Sequence, residues 1–136
     1  MTPIREWASV TPESFHAEIV PAAKPAVFRG LAADWPVVRA GRKSQGALFD
    51  YLKRFDSGKS VRAIAGPPEI GGRFFYNDDL TGFNFKTGMT KLSAALDFLA
   101  ANAGAETPPA LAVQSVSVCE SLPEFADENS LTLAPA

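Results

Sequence analysis

The amino-acid sequence predicts an α+β fold, with helices packed on an antiparallel sheet. Three observations lead there. Apolar residues recur one helical turn apart in three segments, at Phe15 and Ile19, at Leu48, Leu52 and Phe55, and at Leu92, Leu96 and Leu99. Between them lie short runs of β-branched and aromatic residues, cut apart by Pro67-Pro68, Gly71-Gly72 and Pro108-Pro109. The third observation is the stretch Arg73 to Thr87, RFFYNDDLTGFNFKT, which holds Phe74, Phe75, Phe83 and Phe85 of the chain's 10 phenylalanines. Aromatic runs broken by Asn77-Asp78-Asp79 and Gly82 read as strand, turn, strand. Such a density of rings belongs to the wall of a core or a pocket.

In chain order, residues 1–10 read as an arm anchored by Trp7. Thr11 is a good N-cap, Pro12 suits the first helical position, and Val10 can staple onto Phe15. Pro21 is expected to stop this first helix. Ala26-Val27-Phe28-Arg29 is a short strand, and Pro36 opens one helical turn. Ser44 caps a second helix over 45–56, with Leu48, Leu52 and Phe55 inward and Lys53 and Arg54 on the wet side. Val61–Ala65 reads as a strand that Gly66-Pro67-Pro68 ends. The Gly71-Gly72 turn should bring 73–77 back as its antiparallel neighbour. Thr90 caps a helix over 91–102 that Gly104 closes. Leu111 to Cys119 is a strand whose apolar phase changes partway, predicting a bulge or burial on both faces. Cys119 at its end reads as a buried, inert thiol. Ser121 caps a last short helix through Phe125 to Asp127. The apolar tail Leu131–Ala136 is expected to lead into a further element.

Length and composition bound the function. The 136 residues suffice for one domain with a core, and a domain of this size buries roughly 70% of its unfolded surface. Apolar residues make up 46% and charged residues 21%, an ordinary globular composition. Thirteen basic residues against fifteen acidic give a net charge of −2, so neither nucleic acid nor an anionic membrane is expected as a partner. One cysteine excludes an internal disulfide and fits a reducing compartment. The amino terminus lacks an apolar signal core, and no run approaches a membrane span, so the expected location is the cytoplasm.

The histidine count decides more chemistry than any motif. The only histidine is His16. An iron site of two imidazoles and one carboxylate needs two, and catalytic zinc sites usually need two or three His or Cys ligands. His16 reads instead as a solvated helix residue. No G-x-S-x-G elbow accompanies it for a serine triad, and Gly66 to Gly72 has neither a Walker lysine nor a dinucleotide spacing. Asp78 and Asp79 are adjacent, so in a strand they point to opposite faces and cannot share acid–base work on one substrate. They are read as a turn held by Asx hydrogen bonds, with Asn77 or Asp78 lining a pocket beside Tyr76 as the functional alternative. Gln114 is a lone amide in an apolar strand, satisfying a neighbouring backbone group or reaching a ligand. The arginines and lysines, Arg62 among them, are scattered and read as solvated surface.

Four segments together resemble the cupin-like, JmjC-related family of iron(II) and 2-oxoglutarate oxygenases: PAVFRGLAADWPVV at 25–38, GRFFYNDDLTGFNFKTG at 72–88, MTKLSAALDFL at 89–99 and ALAVQSVSVCESLPEFADEN at 110–129. The resemblance implies an incomplete jelly roll, or double-stranded β-helix, with 1–20 an arm and short helix and 21–136 the N-terminal part of the cupin-like domain. It implies iron(II) and 2-oxoglutarate for a full-length member, which hydroxylates a protein or small-molecule side chain. The family's H-x-D pair and distal histidine would follow the point where this sequence stops, so this chain alone is expected to bind neither and to be inactive. The tyrosine that reaches 2-oxoglutarate in such proteins is replaced here by Leu111 or Ala112. The chain's own contribution would be substrate-facing, through Tyr76, Asn77, Asp78 and Gln114. The other reading is a non-catalytic binding or assembly module. Its unfinished sheet edges would pair with a second copy or another partner.

Overall fold

The computed structural model describes residues 3–131 and 133. Strand β1 (Arg5–Trp7) lies parallel to β2 (Ala26–Phe28), with Arg5 opposite Ala26 and Trp7 opposite Phe28. A helical segment joins them. Thr11 caps it as expected, its hydroxyl accepting from the Ser14 amide at 3.3 Å, and Pro12 takes the first position. The helix does not stop at Pro21. It continues from α1 (Pro12–Ser14) through a π-helical turn, Phe15–Ile19, into α2 (Val20–Ala22), and ends at Ala23 with φ 47°. The wider π turn relieves the point where a proline ring ordinarily meets the carbonyl four residues back. Ile19 is buried, and the Phe15 ring meets Phe28 edge-on at 6.0 Å, which seats this helix on β2.

Two helices follow. Pro36 opens more than one turn: α3 runs Pro36–Lys43, and Ser44 then caps α4 (Gln45–Lys53), its hydroxyl accepting from the Ala47 amide at 3.0 Å. On α4 the buried side chains are Phe49 and Tyr51, with Leu48 and Leu52 only half-buried. Phe55, just past the helix, completes a core cluster with Tyr51 and Leu122, against which Val37, Ala40, Leu92 and Phe125 pack. Lys53 reaches across to an ion pair with Asp97 on the later helix α5 (Leu92–Asn102).

The main sheet has three antiparallel strands in the order β4-β3-β5, where β3 is Ser60–Gly66, β4 Lys86–Lys91 and β5 Ala110–Val113. The fold is therefore mixed α/β with an antiparallel sheet, open at both edges among the described residues, plus the separate parallel pair. The expected pairing of 61–65 with 73–77 does not occur. The neighbours of β3 are β4, with Ile64 opposite Thr87, and β5, with Ile64 opposite Ala112. Segment 73–76 instead folds onto 83–85 through a single bridge, Tyr76 to Phe83. Register follows whichever partner buries one face of the strand. β3 puts Val61 and Ala63 in the core, under α5, whose Ala95 and Leu96 are also buried.

Helix α5 begins after Lys91, not at Thr90, which belongs to β4. Its amino end has no cap from its own segment. Asp56 supplies one from the preceding loop: one carboxylate oxygen accepts from the Ser93 amide at 2.8 Å and the other from the Gly58 amide at 2.9 Å. Burial pushes this carboxyl up. The hydrogen bonds from Ser93 and Gly58 and the charge of Lys91 outweigh that and hold it below the aspartate value of 3.8. A depressed folded-state value contributes stability that is fully present above the unfolded value and is lost as pH falls through the folded one. Asp56→Asn has only one acceptor oxygen and no charge. It is expected to melt below wild type at neutral pH, and the gap should close below roughly pH 4. Thermal melts of both proteins across that range check it; a pH-independent gap would refute the charge-dependent cap.

The expected strand 111–119 is cut short. β5 ends at Val113, Ser115 adopts φ 55°, and the chain turns into α6 (Val118–Ser121). Val116 and Val118 therefore leave the sheet, and the phase change marks an exit where a bulge was expected. Cys119 is exposed on α6, contrary to the buried thiol expected. Ser121 ends a helix and caps none. Pro123 forces Leu122 out of helical geometry, to φ −133° and ψ 61°, so α7 (Phe125–Glu128) starts anew after Glu124. Of the apolar tail, Thr132 and residues 134–136 lie outside the described residues, while Leu133 is buried. Among the described residues no helix is long and apolar enough to cross a membrane.

Candidate functional site

Alternation along β3 decides where a site can form. Val61 and Ala63 face α5, so Arg62 and Ile64 point to the opposite side of the sheet. Register sets Thr87 and Ala112 beside Ile64. Val113 pairs with Ala63, so Gln114, the next residue along, stands on the Arg62 side. Among the described residues no helix packs across this face as α5 does across the other. A groove of about 590 Å³ runs over it, bounded by Arg62, Ile64 and Thr87 from the sheet, Gln114 from the loop after β5, and Phe83 and Phe85 from the aromatic stretch. Helix α6 closes one end with Glu120. That end is tied to the start of β3, since the Ser57 hydroxyl donates to the Glu120 carbonyl at 2.9 Å and the Ser57 amide to that of Ser121 at 3.0 Å.

The aromatic wall is a short hairpin stiffened by side chains. Asn84 reinforces the short backbone ladder: its side-chain oxygen accepts from the Phe75 amide at 2.8 Å, and its amide group donates to the Arg73 carbonyl at 2.9 Å. The rings form a ladder, with Tyr76 stacked on Phe83 at 5.2 Å and Phe83 on Phe85 at 4.8 Å. Phe74 closes edge-on to Phe85 at 5.6 Å. Phe83 is 59% exposed and Phe75 65%, so these rings form an open wall and not a core.

The sequence-predicted residues divide accordingly. Gln114 lines the groove and is exposed. Tyr76 stands one ring behind the wall, half exposed, reaching the groove only through Phe83. Asn77 is engaged in the hairpin turn, its oxygen accepting from the Gly82 amide at 3.0 Å. Asp78 is exposed beside it, and the Asx bonds of this turn come from Asp79, which accepts from the Thr81 amide at 3.0 Å and the Thr81 hydroxyl at 2.7 Å. The Thr81 hydroxyl and amide hold the Asp79 carboxyl below its usual range. The groove residue that sequence reasoning missed is Arg62. In the sequence it looks like any of the scattered cations, and only strand pairing places it at the centre of the open face.

A two-imidazole iron site does not fit these residues. The one histidine, His16, lies on the π turn, and its Nε2 donates to the Leu133 carbonyl at 3.0 Å. Among the described residues no three His, Cys, Asp or Glu side chains converge as a metal would require. Residues 12–136 match the model of a family described as a cupin-like domain. No curated protein matches the chain.

Proposed function

The chain belongs to the cupin-like domain family, and on that premise we propose that it forms the substrate-facing scaffold of a cupin-like, JmjC-type oxygenase dependent on iron(II) and 2-oxoglutarate. The metal ligands come from residues this chain does not supply, and the reaction class is hydroxylation of a protein or small-molecule side chain. One observation carries the reading: the groove over the uncovered sheet face, with Gln114 at its border and Phe83 and Phe85 as its wall, Tyr76 stacked behind Phe83. Grooves with a mostly apolar lining and a few placed polar groups are the usual form of a small-molecule or side-chain site. Asn77 and Asp78 belong to the same hairpin and act at its tip.

The test has two arms. In the presence of iron(II), dioxygen and a reductant such as ascorbate, the native protein isolated from its source cells is expected to convert 2-oxoglutarate to succinate and carbon dioxide. The 136-residue chain by itself is expected to show no stoichiometric iron(II) binding in an anaerobic titration. Absence of turnover in the native protein sinks the oxygenase reading, and tight binding by the chain sinks the assignment of the ligands elsewhere.

The second reading, a non-catalytic module pairing through its edges, is favoured by one feature. The outer edge of β5, Ala110–Val113, is apolar and uncharged, whereas β4 carries Lys86 and Lys91 at its ends, a pattern that discourages strand addition. A monodisperse dimer in sedimentation, lost on Ala112→Pro, would support the module over the oxygenase scaffold.

A further inference from the structure

We propose that the groove takes an aromatic monocarboxylate, whose carboxylate meets Arg62 and Gln114 and whose ring packs against Phe83 and Phe85. The inference rests on the groove being the ligand-facing surface and deepens that reading by naming the ligand class. Three observations converge on it.

The first is charge. The three strands of the sheet contain Arg62, Lys86 and Lys91 and no acidic residue, in a chain whose net charge is −2. Arg62 lines the groove, while Lys91 lies near Asp56. The ion pairs of the described residues are Arg29–Glu6, Lys53–Asp97 and Arg54–Glu128, so the Arg62 guanidinium faces the groove with no acidic partner. A guanidinium offers a planar fork of donors that matches a carboxylate. Gln114 adds an amide on the same face.

The second is shape. Phe83 and Phe85 present stacked rings along the wall, with Ile64 on the floor. Aromatic partners meet such rings edge-on or offset at centroid separations near 4.5–7 Å, so a planar apolar body is the complement. The volume, about 590 Å³, accommodates a one- or two-ring molecule.

The third sets the number of charges. Among the described residues Glu120 is the only acid lining the groove, and it stands at one end. A ligand with one anionic group can direct it to Arg62 and away from Glu120. A dicarboxylate, or a run of acidic groups, meets repulsion at that end.

The probe is 2-naphthoate, titrated against the 136-residue chain by fluorescence and calorimetry, with neutral 2-naphthamide and aliphatic 2-oxoglutarate as comparisons. Saturable binding of 2-naphthoate is expected, with naphthamide at least about tenfold weaker, the scale of a charge-assisted hydrogen bond. Arg62→Gln should weaken naphthoate about tenfold, and Arg62→Lys should weaken it less. Phe83→Ala should cost about two- to tenfold. Glu120→Gln should tighten binding, a sign no merely structural role produces. Arg62 and Phe83 are exposed, so the variants should melt with wild type, and melts confirm it. No binding of naphthoate, equal binding of naphthamide, or an Arg62→Gln variant that binds as well as wild type overturns the proposal. Tighter binding of 2-oxoglutarate than of naphthoate overturns the monocarboxylate assignment. A native protein inert toward 2-oxoglutarate, with the naphthoate pattern intact, would remove the oxygenase reading and leave this one standing.

Discussion

Asn129→Ala is expected to destabilise the protein by about 2–4 kcal/mol, from leaving buried backbone and hydroxyl groups without a partner. Asn129 is 5% exposed and uses its whole side chain. Its oxygen accepts from the Val37 amide at 3.1 Å, in the first turn of α3, where an amide has no partner within its own helix. Its amide group donates to the Tyr51 hydroxyl at 2.9 Å and to the Phe125 carbonyl at 2.9 Å. The Tyr51 hydroxyl in turn donates to Glu128 at 2.7 Å; burial first, and then this bond, raise the phenol above its usual value and keep it protonated. One amide thus ties α7 to both α3 and α4. Denaturant unfolding of the variant measures the loss, and a Tyr51→Phe, Asn129→Ala double-mutant cycle should show coupling of at least about 0.5 kcal/mol. A loss below about 1 kcal/mol would mean that α7 is not held against the helices in this way.

Phe55→Ala is expected to cost about 3–5 kcal/mol. Phe55 is 8% exposed and meets Tyr51 edge-on at 5.2 Å and Phe125 at 5.7 Å, with the Arg54 guanidinium 5.2 Å from its ring centre. Truncation leaves a cavity between α4 and the C-terminal segment, and a loss of that size is a large part of the 5–15 kcal/mol that typically holds a domain together. Phe75→Ala is the control. That ring is 65% exposed, so its removal should change stability by no more than about 0.5 kcal/mol. Equal losses at the two positions would mean that the aromatic hairpin is packed in the folded protein and not available as a groove wall.

The two substitutions separate what the SLPEFADEN segment does from what the aromatic stretch does. Leu122, Phe125, Glu128 and Asn129 all make contacts that hold the helices together, so segment 121–129 has a structural role. The aromatic stretch leaves its rings in the open beside Arg62 and Gln114. Large apolar side chains left exposed together are the surfaces that take partners or ligands.

Much of the helical architecture was legible in the residues. Thr11 and Ser44 act as the caps their side chains suit, and Leu92, Ala95, Leu96 and Leu99 form the inner face that their spacing implies. These features depend on neighbours within one or two turns, which the chain itself holds in place. The partner of β3 was not legible. Its sequence, KTGMTK, carries no apolar alternation, because β4 is an edge strand with most of its side chains exposed. The aromatic run beside it has a far stronger strand pattern and drew the pairing expectation to itself. Gln114 stood out as an amide in an apolar run, but Arg62 did not stand out from the other cations.

By itself the sequence determined the Thr11 and Ser44 caps, the inner face of α5, and the one-histidine count that leaves a two-imidazole iron site unmet. The tertiary structure alone decided which strands pair, which sheet face α5 covers, and therefore that Arg62, Gln114 and the Phe83–Phe85 wall share one groove. The reason is physical. Those two caps and that helix face are set by local geometry, whereas strand partner, exposed face and the Asp56 cap of α5 are set by contacts between residues far apart in the chain, where burial overrides local propensity.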